Sequence, residues 1–286
     1  MKRIGVTANC EKPDAPSALA RVAAAARELG LRLAVCDETG RSLRGARRMP
    51  PNRFAKGIDA LLALGGDGTM LRAVRLLNGA DVPLMGVNLG SLGFLTSVAE
   101  EDLERAMRAL VSGECRESRR TIAEARVWRG RHVLARYRAL NDVVIGWGGS
   151  SRVVTLQLRI GGEDVGRFVC DGLIVSTPTG STGHMLSAGG PIVHPEAPVF
   201  AINPICPHTL AHRPLVVPDD RRIEISVERS SKRQLFAIDG QDHQEILEGD
   251  RVDIVRARAP VRLLHLPGYS YFALLRQKLH LRGSTV

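Results

Sequence analysis

A glycine-rich turn with one carboxylate separates the short apolar run Ile58–Leu64 from a helical pattern that begins at Thr69. The apolar run is typical of a buried strand in a parallel sheet, and backbone N–H groups at such a strand-to-helix turn can surround a phosphate. Asp67 would repel a bare phosphate, so its chemistry requires a bridging Mg²⁺ ion or a proton to accept. The alternative is a plain strand-ending turn with Asp67 as a turn residue. The predicted phosphate-binding loop comprises Gly65, Gly66, Gly68 and Thr69.

A second glycine-rich stretch, Gly86–Gly93, overlaps the end of another short apolar run, Val82–Val87. Two loops at the carboxyl ends of parallel strands border one crevice, which is the usual ligand position in an open α/β sheet. The alternative is an ordinary strand-to-helix connection. The spacing therefore predicts that both loops belong to one ligand site.

Two polar segments in the second half of the chain have the chemistry to bind a polar ligand. Asn141 and Asp142 precede the apolar run Val143–Ile145, and their side chains suit ribose hydroxyls, with a turn as the alternative. Asp171–Gly190 contains no Lys or Arg, so its hydroxyls can bind a ligand without charge, with a β-hairpin loop as the alternative. The hydroxyl residues are Ser176, Thr177, Thr179, Ser181, Thr182 and Ser187.

The spacing of apolar residues predicts an α/β N-terminal domain followed by an all-β C-terminal domain. Strands alternate with helices in the first part of the chain, and a shift in composition near residue 115 marks the boundary. Short runs rich in β-branched residues, ending with Val261–Leu264, then follow without any helix-length period. Ser270–His280 is predicted to be an amphipathic helix. The predicted divisions are residues 1–115, 116–266 and 267–286.

The chain has an ordinary globular composition with an excess of positive charge. Its net charge is +10, and a basic protein attracts anions such as nucleotides, nucleic acid or anionic lipid, although richness in arginine also reflects genome base composition. Aromatic residues make up 4%, too few for a protein that stacks single-stranded bases, so nucleic acid is not an expected partner. Asp37–Pro51 is predicted to be a solvated loop, with a phosphate-binding flap as the alternative. Its arginines are Arg41, Arg44, Arg47 and Arg48.

The cysteines and the hydropathy pattern bear on the cellular compartment of the protein. The five cysteines are scattered without a CxxC pair, which fits reduced thiols. No apolar stretch approaches the ~20 residues that span a bilayer. We therefore expect a cytoplasmic protein that makes no contact with a membrane.

Taken together, four motifs resemble the bacterial NAD kinase family. The first is shared with diacylglycerol and sphingosine kinases, whereas the second and fourth together are much more specific. The resemblance runs in order from about residue 58 to the end of the chain, and residues 1–57 match only in general layout. The motifs are Gly65–Thr69, Asn88–Leu95, Leu140–Val144 and Asp171–Thr182.

The resemblance implies transfer of the γ-phosphate of ATP to the 2′-hydroxyl of the adenosine ribose of NAD, giving NADP. Asp67 would be the catalytic proton acceptor, with Gly68 beside it against NAD. Mg²⁺ is expected to act through the ATP phosphates, and no protein ligand is assigned to it. The family also implies a homodimer or homotetramer whose partners are NAD and ATP, and a C-terminal helix that packs back on the N-terminal domain.

The same resemblance implies a set of NAD-binding residues. The family's Asn-Glu/Asp pair corresponds to Asn141 and Asp142, and its aspartate before the Gly-Leu-Ile strand corresponds to Asp171. The family often has Thr-Ala-Tyr where this chain has Thr182-Gly183-His184, a departure that concerns the aromatic contact rather than the reaction. The implied residues are Asp67, Gly68, Asn141, Asp142, Arg152, Asp171, Thr182, Gly183, His184, Met185, Leu186, Ser187 and Gln241.

Two other functions are compatible with parts of the sequence. A lipid kinase would share the glycine loop, but it would need a membrane-facing apolar surface and leaves Asn141 and Asp142 unexplained. A non-catalytic NAD(P)-binding regulator would not need Asp67, which is intact. An assay with ATP, Mg²⁺ and NAD distinguishes these functions from NAD kinase activity.

Overall fold

A computed structural model describes residues 1–91, 93–146, 153–209, 212–230 and 234–280. The chain forms two compact units, one comprising Met1–Arg119 and the chain from Val261 onward, the other comprising Arg120–Pro260. None of the helices within the described ranges is long and apolar enough to cross a membrane.

The elements are numbered in chain order. The helices are α1 (Ala15–Glu28), α2 (Thr39–Ser42), α3 (Pro51–Phe54), α4 (Asp67–Leu77), α5 (Leu103–Ser112), α6 (His184–Ser187) and α7 (Tyr271–Leu279). The first strands are β1 (Arg3–Ala8), β2 (Arg32–Val35), β3 (Arg47–Arg48), β4 (Ala60–Gly65), β5 (Leu84–Asn88), β6 (Arg116–Arg120), β7 (Ala123–Arg129), β8 (His132–Ala139) and β9 (Asp142–Ile145). The remaining strands are β10 (Val154–Ile160), β11 (Glu163–Cys170), β12 (Gly172–Ser176), β13 (Val199–Ile205), β14 (Leu215–Pro218), β15 (Ile223–Ser230), β16 (Gln234–Ile238), β17 (Asp242–Ile246), β18 (Asp250–Arg256) and β19 (Val261–His265).

The first unit is built on a seven-stranded sheet, in the described part of the chain, with the order β3-β2-β1-β4-β5-β19-β6. Neighbouring strands from β3 to β19 run parallel. β4 lies at the centre and all six of its residues are buried, as expected for a parallel strand covered on both faces. α1 and α5 present stripes of apolar side chains at helical spacing to one core with this sheet.

Two strands that the sequence prediction placed in the β-rich domain belong to this first sheet. β19 pairs in parallel with β5, with Leu263 opposite Leu84, and β6 flanks β19. The run Val261–Leu264 could not reveal this because a strand buried on both faces is equally apolar in a parallel sheet and in a sandwich core.

The second unit is a sandwich of two antiparallel sheets, each six-stranded within the described residues. Their orders are β11-β10-β15-β18-β7-β8 and β14-β13-β12-β9-β16-β17. β7, β10 and β15 alternate buried and less buried residues, which is the pattern of a strand with one face on a core. Side chains from both sheets share that core, among them Leu156, Phe200 and Phe236. The predicted fold class, α/β followed by all-β, is confirmed.

Three local features differ from the sequence prediction or refine it. α4 begins at Asp67 rather than at Thr69, which places the carboxylate in the first helical turn. The predicted loop Asp37–Pro51 contains the short helix α2 and the short edge strand β3. After β12, a 3₁₀ turn over Thr179–Thr182 and the helical turn α6 occupy the polar stretch, which lies in the connection from β12 to its antiparallel partner β13.

The C-terminal helix α7 is part of the first unit, as the resemblance implied. The Ser270 side chain accepts a hydrogen bond from the Ala273 N–H and caps the helix. Leu274 and Leu275 are buried, and the Lys278 ammonium lies 5.9 Å from the ring centroid of Phe94.

Candidate active site

The glycine loop makes a tight connection from β4 into α4. A Cβ on Gly65 would lie 2.2 Å from Thr69 Oγ1, so no larger residue fits there without displacing Thr69. Gly66 precedes the helix in an extended conformation, and Asp67 is its first residue. The first N–H groups of a helix have no acceptors within it, so this end of α4 can donate to an anion.

The Asp67 carboxylate joins the two glycine-rich loops. One oxygen accepts a hydrogen bond from the Phe94 N–H and the other from the Leu95 N–H, each at 2.9 Å. A Cβ on Gly93 would lie 2.0 Å from Asp67 Oδ1, so the close approach of this loop requires glycine. The sequence prediction that both loops belong to one site is therefore supported within this unit, and the two N–H donors fix the orientation of the carboxylate.

The second loop has its own polar lining. The Asn88 side chain is buried and its Nδ2 donates to the Gly90 carbonyl at 2.5 Å, while the Leu89 N–H donates to the Gly65 carbonyl at 3.0 Å. Lys12 Nζ lies 3.7 Å from the position that a Cβ on Gly90 would occupy. This ammonium group is a cation beside the loops that sequence reasoning did not select, because nothing in the local pattern around Lys12 relates it to Gly90.

The donor set near Asp67 fits a magnesium ion that arrives with phosphate ligands. The described residues include no group of three or more His, Cys, Asp or Glu side chains that could hold a metal ion. Asp67 is the carboxylate that the glycine loop supplies. Mg²⁺ is commonly bound by one or two carboxylates together with substrate phosphates and water, so a single carboxylate suits this mode and does not suit a metal held by protein alone.

In the second unit, Asp239 fixes the backbone of the predicted ribose-binding pair. Its carboxylate accepts hydrogen bonds from the N–H groups of Leu140 at 3.0 Å, Asn141 at 2.7 Å and Asp142 at 3.1 Å. Asp239 is buried and has a positive φ of 51°. Asn141 is half-buried, and its side-chain amide has no hydrogen-bond partner among the described residues. The backbone is thus held while the Asn141 side chain is available to a ligand.

Asp142 and Asp239 form a buried pair of carboxyl groups. Burial, and secondly the charge of Asp239, raise the pKa of Asp142 to about 7. The Asp239 carboxylate accepts three backbone N–H bonds, and its charge disfavours ionisation of Asp142. Near neutral pH, Asp142 can therefore donate a hydrogen bond as well as accept one.

The hydroxyl-rich segment uses most of its buried hydroxyls to hold its own shape. Thr177 Oγ1 donates to the Leu140 carbonyl at 2.5 Å, and Ser181 Oγ donates to the Pro178 carbonyl at 2.7 Å. A Cβ on Gly180 would lie 2.2 Å from the backbone oxygen of Asn141, so this turn packs directly on the predicted ribose-binding pair. Thr182 is half-buried, and its Oγ1 donates to the Thr179 carbonyl at 3.4 Å.

The predicted adenine-end residues in and beside the helical turn α6 differ in burial. Met185 is fully buried against Val144, Ile174 and Ala201, so its side chain is part of the core and not a surface for a ligand. His184 is half-buried, and burial lowers its pKa below the ordinary value of 6.5. Leu186 is half-buried and Ser187 and Gly183 are exposed.

The remaining predicted residues differ in how much the structure says of them. Asp171 is half-buried between β11 and β12, and its N–H donates to the Ile205 carbonyl at 2.9 Å. Gln241 is exposed in the turn before β17, and its N–H donates to the Ile238 carbonyl at 2.9 Å. Arg152 lies outside the described residues.

Comparisons with family models and with sequences both match this chain to NAD kinases. Residues 12–115 match the ATP-NAD kinase N-terminal domain and residues 140–266 match the ATP-NAD kinase C-terminal domain. The NAD kinase of Thiobacillus denitrificans is 46% identical over 222 residues, which cover 78% of this chain and 76% of that protein. The NAD kinase of Moorella thermoacetica is 38% identical over 284 residues, covering 99% of this chain and 91% of that protein.

Solved structures with the same architecture include two kinases. A yeast NADH kinase complexed with NADH has a TM-score of 0.92 at 24% identity, covering 100% of this chain and 89% of that one, and shows the fold alone. An NAD kinase from Archaeoglobus fulgidus in complex with ATP has a TM-score of 0.77 at 26% identity, covering 98% of this chain and 100% of that one.

Proposed function

This chain belongs to the ATP-NAD kinase family, and on that premise we propose that Asp67 accepts the proton of the 2′-hydroxyl of the adenosine ribose of NAD. The reaction of the family is transfer of the γ-phosphate of ATP to that hydroxyl, giving NADP. The observation that carries the proposal is the position of Asp67, which is the first residue of α4 and is held by the Phe94 and Leu95 N–H groups. An oriented carboxylate can take the proton as the new phosphorus–oxygen bond forms.

The donor phosphates are bound, in this proposal, by the glycine loops of the first unit. Phosphate oxygens can accept hydrogen bonds from the N–H groups at the start of α4 and from the Lys12 ammonium beside Gly90. The ATP-bound Archaeoglobus relative supports ATP as the donor. Mg²⁺, when bound with ATP, neutralises phosphate charge, and Asp67 is the loop residue that would contact it.

NAD is bound, in the same proposal, by residues that the second unit holds in fixed positions. The Asn141 amide donates to and accepts from ribose hydroxyls, and protonated Asp142 donates a second hydrogen bond. Gly68 in the glycine loop, and Asp171, Thr182, Gly183, His184, Leu186, Ser187, Arg152 and Gln241, complete the proposed contacts. Met185 contributes by filling the core under α6 rather than by its own contact.

The first experiment compares the wild-type chain with Asp67→Asn in an assay for NADP formation. The amide keeps the shape of the side chain but loses the base, so turnover should fall by roughly 10²–10⁴-fold while NAD still binds. Near-normal turnover would remove Asp67 from the role of base. Offering NAD, NADH and diacylglycerol with ATP or polyphosphate in the same assay defines the acceptor and the donor, and phosphorylation of diacylglycerol would favour the lipid-kinase alternative.

We further propose that the chain assembles into a homodimer or homotetramer, as the family resemblance implies. Light scattering across a concentration series measures the mass in solution. A mass equal to one chain at all concentrations would contradict the proposal.

A further inference from the structure

A cavity of about 470 Å³ lies in the first unit, between the C-terminal half of α1 and the strands β2 and β3. Its volume is within the range of small-molecule sites. Five arginines contribute to its lining, and no Asp or Glu is present among the lining residues of the described chain. They are Arg3, Arg27, Arg32, Arg44 and Arg47.

Most of this positive charge has no compensating carboxylate. Arg3 forms an ion pair with Asp59 at 2.7 Å. The other four arginines form no ion pair with any described residue, whereas arginines elsewhere, such as Arg21 and Arg129, are paired with carboxylates. Like charges gathered around a cavity with protein walls repel one another and raise the local concentration of anions. The arrangement is therefore favourable for a ligand with several negative charges.

The other lining residues are apolar or glycine. They include Ala23 and Ala26 of α1, Ala34 of β2, and Met49. Short methyl side chains leave room for a flat ring, and guanidinium planes stack on rings as well as binding phosphate through two N–H groups. A ligand that joins a flat base to phosphate groups matches both parts of this lining.

The cavity is remote from the glycine loops within the same sheet. Arg3 and Arg32 begin β1 and β2, whereas Gly65 and Asn88 end the parallel strands β4 and β5. The two ends of a six-residue strand lie ~20 Å apart. A ligand bound to Arg3 and Arg32 would thus lie toward the opposite end of the parallel strands from Asp67.

We propose that this cavity binds a nucleoside phosphate at a site separate from the catalytic one. The arginines contributed by the segment between β2 and α3 place part of that segment at the site, so it acts as the phosphate-binding flap rather than as a solvated loop. Arg44 and Arg47 lie on this flap, Arg32 on β2 and Arg27 on α1, so phosphate is approached from three elements.

The test is calorimetric titration of the full chain with AMP, in the presence of saturating NAD, together with two charge-reversed variants. Arg32→Glu/Arg47→Glu should weaken AMP binding at least about tenfold, since each removes a charge-assisted contact. Arg131→Glu/Arg136→Glu, on exposed positions of the second unit, changes net charge equally and should leave binding within about twofold. Because Arg47 lies in β3, its replacement could disturb the pairing of that strand. Arg27→Glu alone, at an exposed position of α1, should also weaken AMP binding without this complication.

Further outcomes separate this site from general attraction of anions. Inorganic phosphate should bind more weakly than AMP with the same dependence on Arg32 and Arg47, and the KM values for ATP and NAD should be unchanged in Arg32→Glu/Arg47→Glu. Equal loss of AMP binding in both double variants would overturn the proposal. The titration is repeated with CMP. If neither AMP nor CMP shows binding that depends on Arg32 and Arg47, the proposal is overturned as well.

Discussion

The raised pKa of the buried Asp142 carboxyl group makes the stability of the fold depend on pH. The pKa of Asp142 is raised to about 7 by burial and by Asp239, above its ordinary value of 3.8. A raised pKa means that the folded state holds a proton which the unfolded chain releases. The stabilisation is fully present below the unfolded pKa and is lost as pH rises through the folded value.

Asp142→Asn should remove this dependence. The free energy of unfolding of both proteins is measured with urea at a series of pH values. The difference, wild type minus variant, should decrease by an amount on the order of 3 kcal/mol as the pH rises from 4.5 to 7.5. Asp220→Asn, at an exposed turn of the same unit, is the control and should show a flat difference. A flat difference for Asp142→Asn would mean that Asp142 is ionised throughout this range.

His184 gives a second prediction at the scale of one residue. Burial lowers the pKa of His184 below the ordinary value of 6.5, so the imidazole gains its charge at a lower pH than a solvent-exposed histidine does. If His184 contacts NAD, the dissociation constant of NAD should change at the acid end of a series from pH 5.5 to 8. His184→Tyr should flatten that change and keep activity. Identical pH profiles of the NAD dissociation constant for the two proteins would show that His184 does not contact NAD.

At the scale of elements, the 3₁₀ turn over Thr179–Thr182 positions the start of β9. Gly180 permits contact with the Asn141 backbone, whose N–H donates to the Asp239 carboxylate. Gly180→Ala should therefore displace Asn141 and raise the KM for NAD at least about tenfold, because removal of one good polar contact costs about 1–3 kcal/mol.

The matched control for this substitution is Gly162→Ala. Gly162 lies in the turn between β10 and β11, where an added Cβ meets no atom within 4 Å, although its φ of +89° makes alanine strained. Gly162→Ala should lower thermal stability with no change in the KM for NAD. An equal KM for Gly180→Ala and the wild type would show that the turn does not position Asn141.

At the scale of the whole molecule, metal should be needed for the reaction and not for the fold. The described residues contain no cluster of three or more metal-ligating side chains. Chelation by EDTA should abolish NADP formation, and added Mg²⁺ should restore it, while the thermal unfolding midpoint of the ligand-free chain stays the same. A midpoint lowered by EDTA would reveal a structural metal site.

Sequence patterns indicated those parts of the molecule in which neighbouring residues determine the structure. The apolar run ending at Gly65 and the glycines around Asp67 define a strand, a turn and a helix start from local spacing alone. The role of Asp239 could not be inferred in this way, because it binds the Asp142 N–H from 97 residues further along the chain. The available signal was an Asp-Gly turn after a strand, which is common in turns of every kind.

The place of β19 between β5 and β6 has a consequence for biosynthesis. When the ribosome has released the chain through β6, the first sheet still lacks the strand that separates β5 from β6, and an unpaired strand edge is a site for mispairing. The second unit, Arg120–Pro260, is complete before that strand is made. The glycine loop of the first unit therefore acquires its finished sheet only after β19 has been translated, so nascent chains interrupted before Val261 carry the residues of this loop on an incomplete sheet.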